Sequence, residues 1–224
     1  MDKIHEHGFV RLDACMADDL SVVNAARVSY GKRSEALSSA DKGLINFLLR
    51  ERHGTPFEHN AFRFHVSCPI FVAREWFRHR IGSFNEISGR YTTLETVGYV
   101  PDLRDMRTQT GKSGSYTYEQ LPPIESIDGV DLIHDAYNRA FHVYEKLRGM
   151  GVANELARIV LPVGIFTEFY WTVNARSLMN FLSLRTHETA QKEIRDYAEQ
   201  VEKLFSENMP VTFDAWLQNG KVAP

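Results

Sequence analysis

Cysteine is scarce in this chain, and its scarcity closes off several functions at once. Two cysteines in 224 residues, Cys15 and Cys68, are too few for a disulfide framework. The polar start MDKIHEHG does not resemble an export sequence, so the cytoplasm is the expected compartment. Long hydrophobic runs are missing too. The longest apolar stretch, around Ile159 to Phe166, is interrupted by Pro162 and falls far short of the ~18 residues a membrane span requires. No excess of charge stands out either: a formal net charge of −3 argues against nonspecific nucleic-acid binding through a global basic field. Glycine-rich nucleotide loops are absent, with neither GxGxxG after a strand nor GxxxxGK[ST] anywhere. Any phosphate must therefore be held by side chains, and Arg78, Arg80, Arg90, Arg158, Arg176 and Arg185 are the obvious supply.

What is present supports a substantial core: 43% of residues are apolar and 12% aromatic. A strand is expected near residues 8–13, followed by a helix over 18–28 that Asp18 or Asp19 can cap. Residues 31–41 read as a polar loop. Leu44, Ile45, Leu48 and Leu49 make one apolar face of a helix over 41–50, ended by His53-Gly54-Thr55-Pro56. Strict alternation of Phe62, Phe64 and Val66 against Arg63, His65 and Ser67 predicts a half-buried strand. Pro69 then opens a helix expected to run from Ile70 to about Arg80, with Arg74 and Arg78 one turn apart. Residues 102–130, with three glycines and two prolines among polar residues, read as a long loop. Ile133, Tyr137, Ala140, Tyr144 and Leu147 predict a helix stopped at Gly149, and Asn154 opens a shorter one to Leu161. A strand over 164–173 and helices over 177–184 and 187–205 complete the pattern. With no internal repeat and no clear linker, the expectation is one α+β domain over residues 1–224, a central sheet covered by helices.

The chemistry concentrates in residues 78–91, RHRIGSFNEISGRY, which carry three arginines, one histidine, two serines, an asparagine and a glutamate. Arg78, Arg80 and Arg90 bring fixed charge and planar donor forks suited to phosphate or carboxylate. Gly82 and Gly89 permit unusual backbone angles and close approach of a ligand. A solvated charged loop is the duller alternative.

The pattern Arg78-His79-Arg80, seven residues, then Ser88 resembles the signature of the flavin-dependent thymidylate synthases. Other stretches similar to that family surround it in order: AARVSY at 25–30, HGTPFEH at 53–59, CPIFVAREWFRHR at 68–80, ARIVLP at 157–162 and WTVNARSLMNFLSLR at 171–185. The resemblance covers residues 20–217 and is weakest over 95–130. It implies reductive methylation of dUMP to dTMP, with 5,10-methylenetetrahydrofolate as the one-carbon donor, NADPH as reductant and FAD as the hydride carrier. It also implies a homotetramer with active sites shared between subunits, and no metal.

Carried over by motif, Glu75, Trp76, Phe77, Arg78, Glu86, Ile87, Ser88, Gly89, Arg90, Arg158 and Arg185 would bind the nucleotide. Ser29, His53, Thr55, Glu58, Arg78, His79, Arg80, Ile81, Asn85, Glu86, Asn174, Arg176 and Asn180 would contact the flavin. Arg185, Ser88 and His53 would stand nearest the chemistry. The roles have physical reasons. Arg90 and Arg158 suit bidentate pairing with a phosphate. Ser88 can orient a uracil. A guanidinium at the pyrimidine N3 edge would stabilise negative charge there and make C5 more nucleophilic.

Several residues carry other readings. His53, His59 and His65 recur every six residues but span a helix end, a loop and a strand, so joint metal ligation is not expected. Cys68 sits in apolar surroundings and reads as a small hydrophobe, not a nucleophile. Asn180 taken alone fits a helix-surface amide equally well. The rival from another class is a binder of RNA or single-stranded DNA that stacks bases on Trp76, Phe77, Phe84 and Tyr91.

Overall fold

The computed structural model describes residues 3–112 and 114–224. In chain order the elements are β1 (Phe9–Met16), α1 (Asp19–Arg27), α2 (Ser39–Arg50), β2 (Ala61–Pro69), α3 (Ile70–Trp76) and β3 (Ser83–Glu86). They continue with β4 (Arg107–Lys112), β5 (Ser115–Gln120), α4 (Pro123–Gly149), α5 (Asn154–Ala157), β6 (Phe166–Val173), α6 (Ala175–Arg185), α7 (Lys192–Asn208) and α8 (Pro210–Gln218). Four strands form a sheet in the order β1-β2-β6-β3, and β4 pairs with β5 in a separate ribbon. The architecture is α+β. The chain divides into two compact units: one of residues 9–66, 74–85 and 169–224, the other of residues up to Gly8, 67–73 and 86–168.

In the first unit, the alternation seen in the sequence decides which side of the sheet is dry. Phe62, Phe64 and Val66 of β2 are buried, as are Phe169, Trp171 and Val173 of β6, whereas Arg63 and Tyr170 are exposed. Helices cover the dry side. On α7, Ile194, Tyr197, Ala198, Val201 and Phe205 recur at helical spacing and are all buried. Trp76, at the end of α3, sits in the middle of this core. Its indole stacks on Phe181 at 4.8 Å and meets Trp171 edge-on at 5.4 Å. Aromatic pairs of this kind add about 0.5–1.5 kcal/mol beyond area burial, so Trp76→Ala is expected to cost about 3–5 kcal/mol.

Caps fix where the helices start. Asp18 accepts from the Ser21 amide at the head of α1, and Ser38 with Asp41 forms a reciprocal capping box on α2. Asp19 does the same work at long range: its buried carboxylate accepts from the Val211 and Thr212 amides of α8 at 2.9 and 2.7 Å. α8 therefore starts where Asp19 lies, and Asp19→Ala leaves its first amides unpartnered at a cost of about 1–3 kcal/mol.

Three sequence expectations need correction here. α3 stops at Trp76, one turn short of Arg80. Burial of the Trp76 indole pins that point, and the chain then closes two short turns, Arg78 N–H to Glu75 O at 3.3 Å and His79 N–H to Trp76 O at 3.0 Å. Arg74 and Arg78 thus share no helical face. Gly82 follows because a Cβ there would lie 2.9 Å from Trp171 Nε1 and 3.0 Å from the Thr172 carbonyl. Its backbone is not left-handed; its use is close approach alone.

Residues 102–130 are not a loop. β4 and β5 form an antiparallel hairpin in register from Arg107↔Gln120 to Lys112↔Ser115, and α4 begins at Pro123. The ribbon is exposed on both faces, so no apolar alternation marks it. Gly129 lies inside α4, where glycine normally argues against a helix. In this second unit Tyr137 Oη donates to the Tyr99 carbonyl at 2.7 Å, and Leu94 N–H donates to Tyr144 Oη at 3.1 Å. α8 was not anticipated at all. No helix of the described residues is long and apolar enough to cross a membrane.

Candidate active site

α6 starts where β6 ends, and that junction builds a cleft within the first unit. Asn174 caps the helix: its Oδ1 accepts from the Ser177 amide at 2.9 Å, which leaves its NH₂ free to donate into the cleft. Arg176 and Asn180 follow one turn apart on α6, and Arg185 is its last residue. Across from them lies the turn after α3. Together Glu58, Arg78, His79, Arg80, Ile81, Asn174, Arg176, Asn180 and Arg185 line a cleft of about 950 Å³. Sequence reasoning missed Ser177, Leu184, Thr189, Ala190, Ala223 and Pro224, which also line it. Ser177 stands three residues beyond the helix cap, and that offset was the available signal.

The cleft is strongly cationic. Four guanidinium groups face it, and carboxylates pair with two of them, Glu58 with Arg176 and Glu75 with Arg185. Arg176 is braced, Nη1 on Glu58 Oε1 at 2.5 Å and Nε on the Pro224 carbonyl at 2.7 Å. Arg185 is braced more fully. Its Nη1 donates to Glu75 Oε2 at 2.8 Å, its Nη2 to the Glu75 carbonyl at 3.2 Å, and its Nε to His79 Nε2 at 3.0 Å. Among the described residues no carboxylate pairs with Arg78 or Arg80. Burial, then Arg185 and Arg78, push the His79 imidazole down to about 4, so it is neutral near pH 7. Burial also lowers Arg185, opposed by Glu75 and reinforced by Arg78, yet a guanidinium stays protonated in proteins.

A second cavity of about 820 Å³ in the same unit gathers Ser29, His53 and Thr55, together with His59, Phe47 and Arg176. Arg176 lines both cavities. The thirteen residues expected at the flavin thus divide into a cleft set and a second-cavity set joined by one arginine, while Asn85 and Glu86 lie on β3 outside both.

The nucleotide set divides as well. In the second unit Ile87, Ser88, Gly89 and Arg90 form a turn: Ser88 Oγ accepts from the Arg90 amide at 3.3 Å, and the Ile87 amide donates to the Glu168 carbonyl at 2.9 Å. Arg158 packs beside it, since a Cβ on Gly89 would meet Arg158 Cδ at 3.1 Å and Leu94 Cδ1 at 2.7 Å. Gly89, like Gly82, is used for space and not for a left-handed angle. Arg90 reaches Glu155 at 3.3 Å and lies over the Tyr91 ring. Glu86 accepts from Thr167 Oγ1 at 2.7 Å. Cys68 is buried, and burial together with Glu86 raises its thiol well above the ordinary range, as a packing role requires.

In the first unit, Arg78 and Arg185 line the cleft and Glu75 pairs with Arg185, but two aromatic expectations need correction. The Trp76 indole has no exposed surface, and Phe77 packs edge-on against Phe169 and Phe84 at 5.0 and 4.9 Å. Their rings belong to the core and its margin, not to a wall that stacks a base. That removes two of the four rings on which a nucleic-acid binder would stack bases.

The donor set fits a dinucleotide cofactor. Two uncompensated guanidiniums suit a pyrophosphate, and amides at Asn174 and Asn180 offer donors and an acceptor for a heterocycle edge.

Comparison with known proteins agrees. Residues 11–211 match the family described as thymidylate synthase complementing protein. The flavin-dependent thymidylate synthase of Thermosipho melanesiensis is 50% identical over 216 residues, covering 96% of this chain and 93% of the relative. That of Streptomyces coelicolor is 45% identical over 228 residues, with the same two coverages, 96% and 93%. Among solved structures, a UMP/dUMP methylase, PolB from Streptomyces cacaoi bound with 5-Br UMP, superposes with a TM-score of 0.90 at 43% identity, covering 97% of this chain and 96% of that one. The chain belongs to the flavin-dependent thymidylate synthase family.

Proposed function

We propose that this chain converts dUMP to dTMP by reductive methylation, with 5,10-methylenetetrahydrofolate supplying the methylene and NADPH the reducing equivalents. FAD, when bound, supplies the hydride. One observation carries the reading: Arg78, His79, Arg80, Asn174, Arg176, Asn180 and Arg185, drawn from two distant stretches of sequence, line a single cationic cleft.

The residues divide the work by chemistry. Arg78, Arg80 and Arg176 would hold the cofactor's pyrophosphate, and Asn174 and Asn180 would hydrogen-bond to a heterocycle edge of the cofactor. Ser29, His53 and Thr55 extend that surface into the second cavity. Arg90 and Arg158 neutralise the substrate phosphate, while Ser88 orients the uracil. Arg185 stabilises the negative charge that develops along the N3 edge as C5 attacks the one-carbon unit. No enzyme nucleophile is required, since positioning and polarisation are the protein's part.

The active form is a homotetramer with active sites shared between subunits. α4 supports self-association: of its 27 residues only Ser126 and Tyr144 are buried within the chain. Its exposed Asp128, Asp131 and Asp135 precede exposed Arg139 and Lys146, a charge order that complements itself when two copies run antiparallel. The helix dipole does not account for it, because Asp131 and Asp135 lie beyond the first turn. A shallow groove of Asp135, Ala136, Arg139, Ala140, Val143 and Val160 sits at the middle of the helix, where a second backbone could approach.

An activity assay with each component omitted in turn tests the reading. dTMP should form only when dUMP, methylenetetrahydrofolate, NADPH and FAD are all present. Formation without flavin would overturn it.

A further inference from the structure

Arg185 ends α6, the position in a helix where a long side chain has the least support from its neighbours. Its guanidinium is nevertheless tied at three of its five N–H donors: Nε to His79 Nε2 at 3.0 Å, Nη1 to Glu75 Oε2 at 2.8 Å, and Nη2 to the Glu75 carbonyl at 3.2 Å. All three acceptors come from residues 75–79. Glu75 and His79 lie one turn apart in sequence, and because α3 stops at Trp76 the His79 amide donates to the Trp76 carbonyl and not to that of Glu75. We propose that Glu75 and His79 are positioning residues for Arg185, holding its plane so that the two remaining N–H donors present a fixed edge to the substrate pyrimidine. The inference rests on Arg185 being a nucleotide contact.

Three features support positioning over mere charge balance. The acceptors differ in kind, a carboxylate, a carbonyl and an imidazole, so between them they fix orientation as well as charge. An arginine only donates, so His79 Nε2 must carry the lone pair, and the imidazole proton is confined to Nδ1. Glu75 beside an anionic nucleotide would be repulsive if free, but tied to Arg185 its charge is already matched. The brace thus explains why a carboxylate is tolerated here. A donor held in place before the substrate arrives loses less freedom on binding than a mobile one.

The test is a thermodynamic cycle in dUMP affinity, measured by calorimetry on the FAD-loaded full chain, with flavin absorbance per protomer recorded for each variant. Glu75→Ala should weaken dUMP binding about tenfold, and Glu75→Gln, which keeps an oxygen for Nη1, by less than about threefold. In an Arg185→Ala background, where Glu75 is left as a free carboxylate beside the anionic nucleotide, Glu75→Ala should cause no further loss and should recover part of the affinity. Equal loss with and without Arg185 would show that Glu75 acts on its own and would overturn the positioning role, leaving the site reading intact. Unchanged dUMP affinity in Arg185→Ala alone would overturn both. Should Glu75→Ala fail to fold, His79→Ala taken through the same cycle reads the other brace, with the same two outcomes.

Discussion

The Arg185 guanidinium donates through Nε to His79 Nε2 across 3.0 Å, so a permanent cation and a neutral imidazole share one hydrogen bond in the wall of the cleft. Protonating that nitrogen would set two cations face to face. The bond therefore defines both a geometry and a pH range.

His79 should titrate far below an ordinary histidine. Burial, Arg185 and Arg78 lower it from 6.5 to about 4. A depressed native value means the unfolded chain takes up the proton first as pH falls. Stability is therefore full above about pH 6.5 and declines as pH drops towards and through about 4. An NMR titration of the His79 ring should show a midpoint near 4, and urea midpoints for His79→Gln should lose part of the acid slope. A ring midpoint near the usual 6.5 would contradict the contact.

Arg185→Ala should reduce turnover about a hundredfold or more while flavin absorbance per protomer is retained. Turnover assays beside absorbance spectra separate the two effects. Unchanged turnover would remove Arg185 from the chemistry.

Arg90→Lys keeps the charge but loses the bidentate fork. dUMP affinity should fall by about tenfold, corresponding to about 1–2 kcal/mol, with FAD affinity little changed. Titrations of each ligand against the variant check this. Equal loss of both would contradict the division of the arginines between phosphate and cofactor.

Reversing charges on α4 should disrupt assembly in a correctable way. Asp135→Arg and Arg139→Asp each place like charges together in an antiparallel pair, and the double variant restores complementarity. Light scattering should report smaller species for each single variant and recovery for the double. Full assembly in both single variants would move the interface elsewhere.

Much of this was legible because burial writes itself as periodicity. Phe62, Phe64 and Val66 gave β2, and Leu44 to Leu49 gave α2. The lack of a glycine-rich nucleotide loop pointed to arginine side chains as phosphate donors, and Arg78, Arg80, Arg176 and Arg185 do line one cleft. The hairpin at Arg107–Gln120 was not legible: both its faces meet solvent, so no pattern of burial constrains its residues. The end of α3 was hidden for the opposite reason. Trp76 fits a helical pattern locally, and only its contacts with Trp171 and Phe181, about a hundred residues away, fix the chain there. Of the brace on Arg185, the one-turn spacing of Glu75 and His79 was legible, but their meeting with an arginine 110 and 106 residues away was not.

The central claim is that the cleft between α6 and the turn after α3 holds a flavin that serves dUMP methylation. The most direct measurement is the anaerobic absorbance of FAD-loaded protein. Flavin colour should bleach on adding NADPH and return when dUMP and methylenetetrahydrofolate are supplied together, with dTMP formed in proportion. A protein that binds no flavin, or whose reduced flavin is not reoxidised by that pair of substrates, would contradict the account.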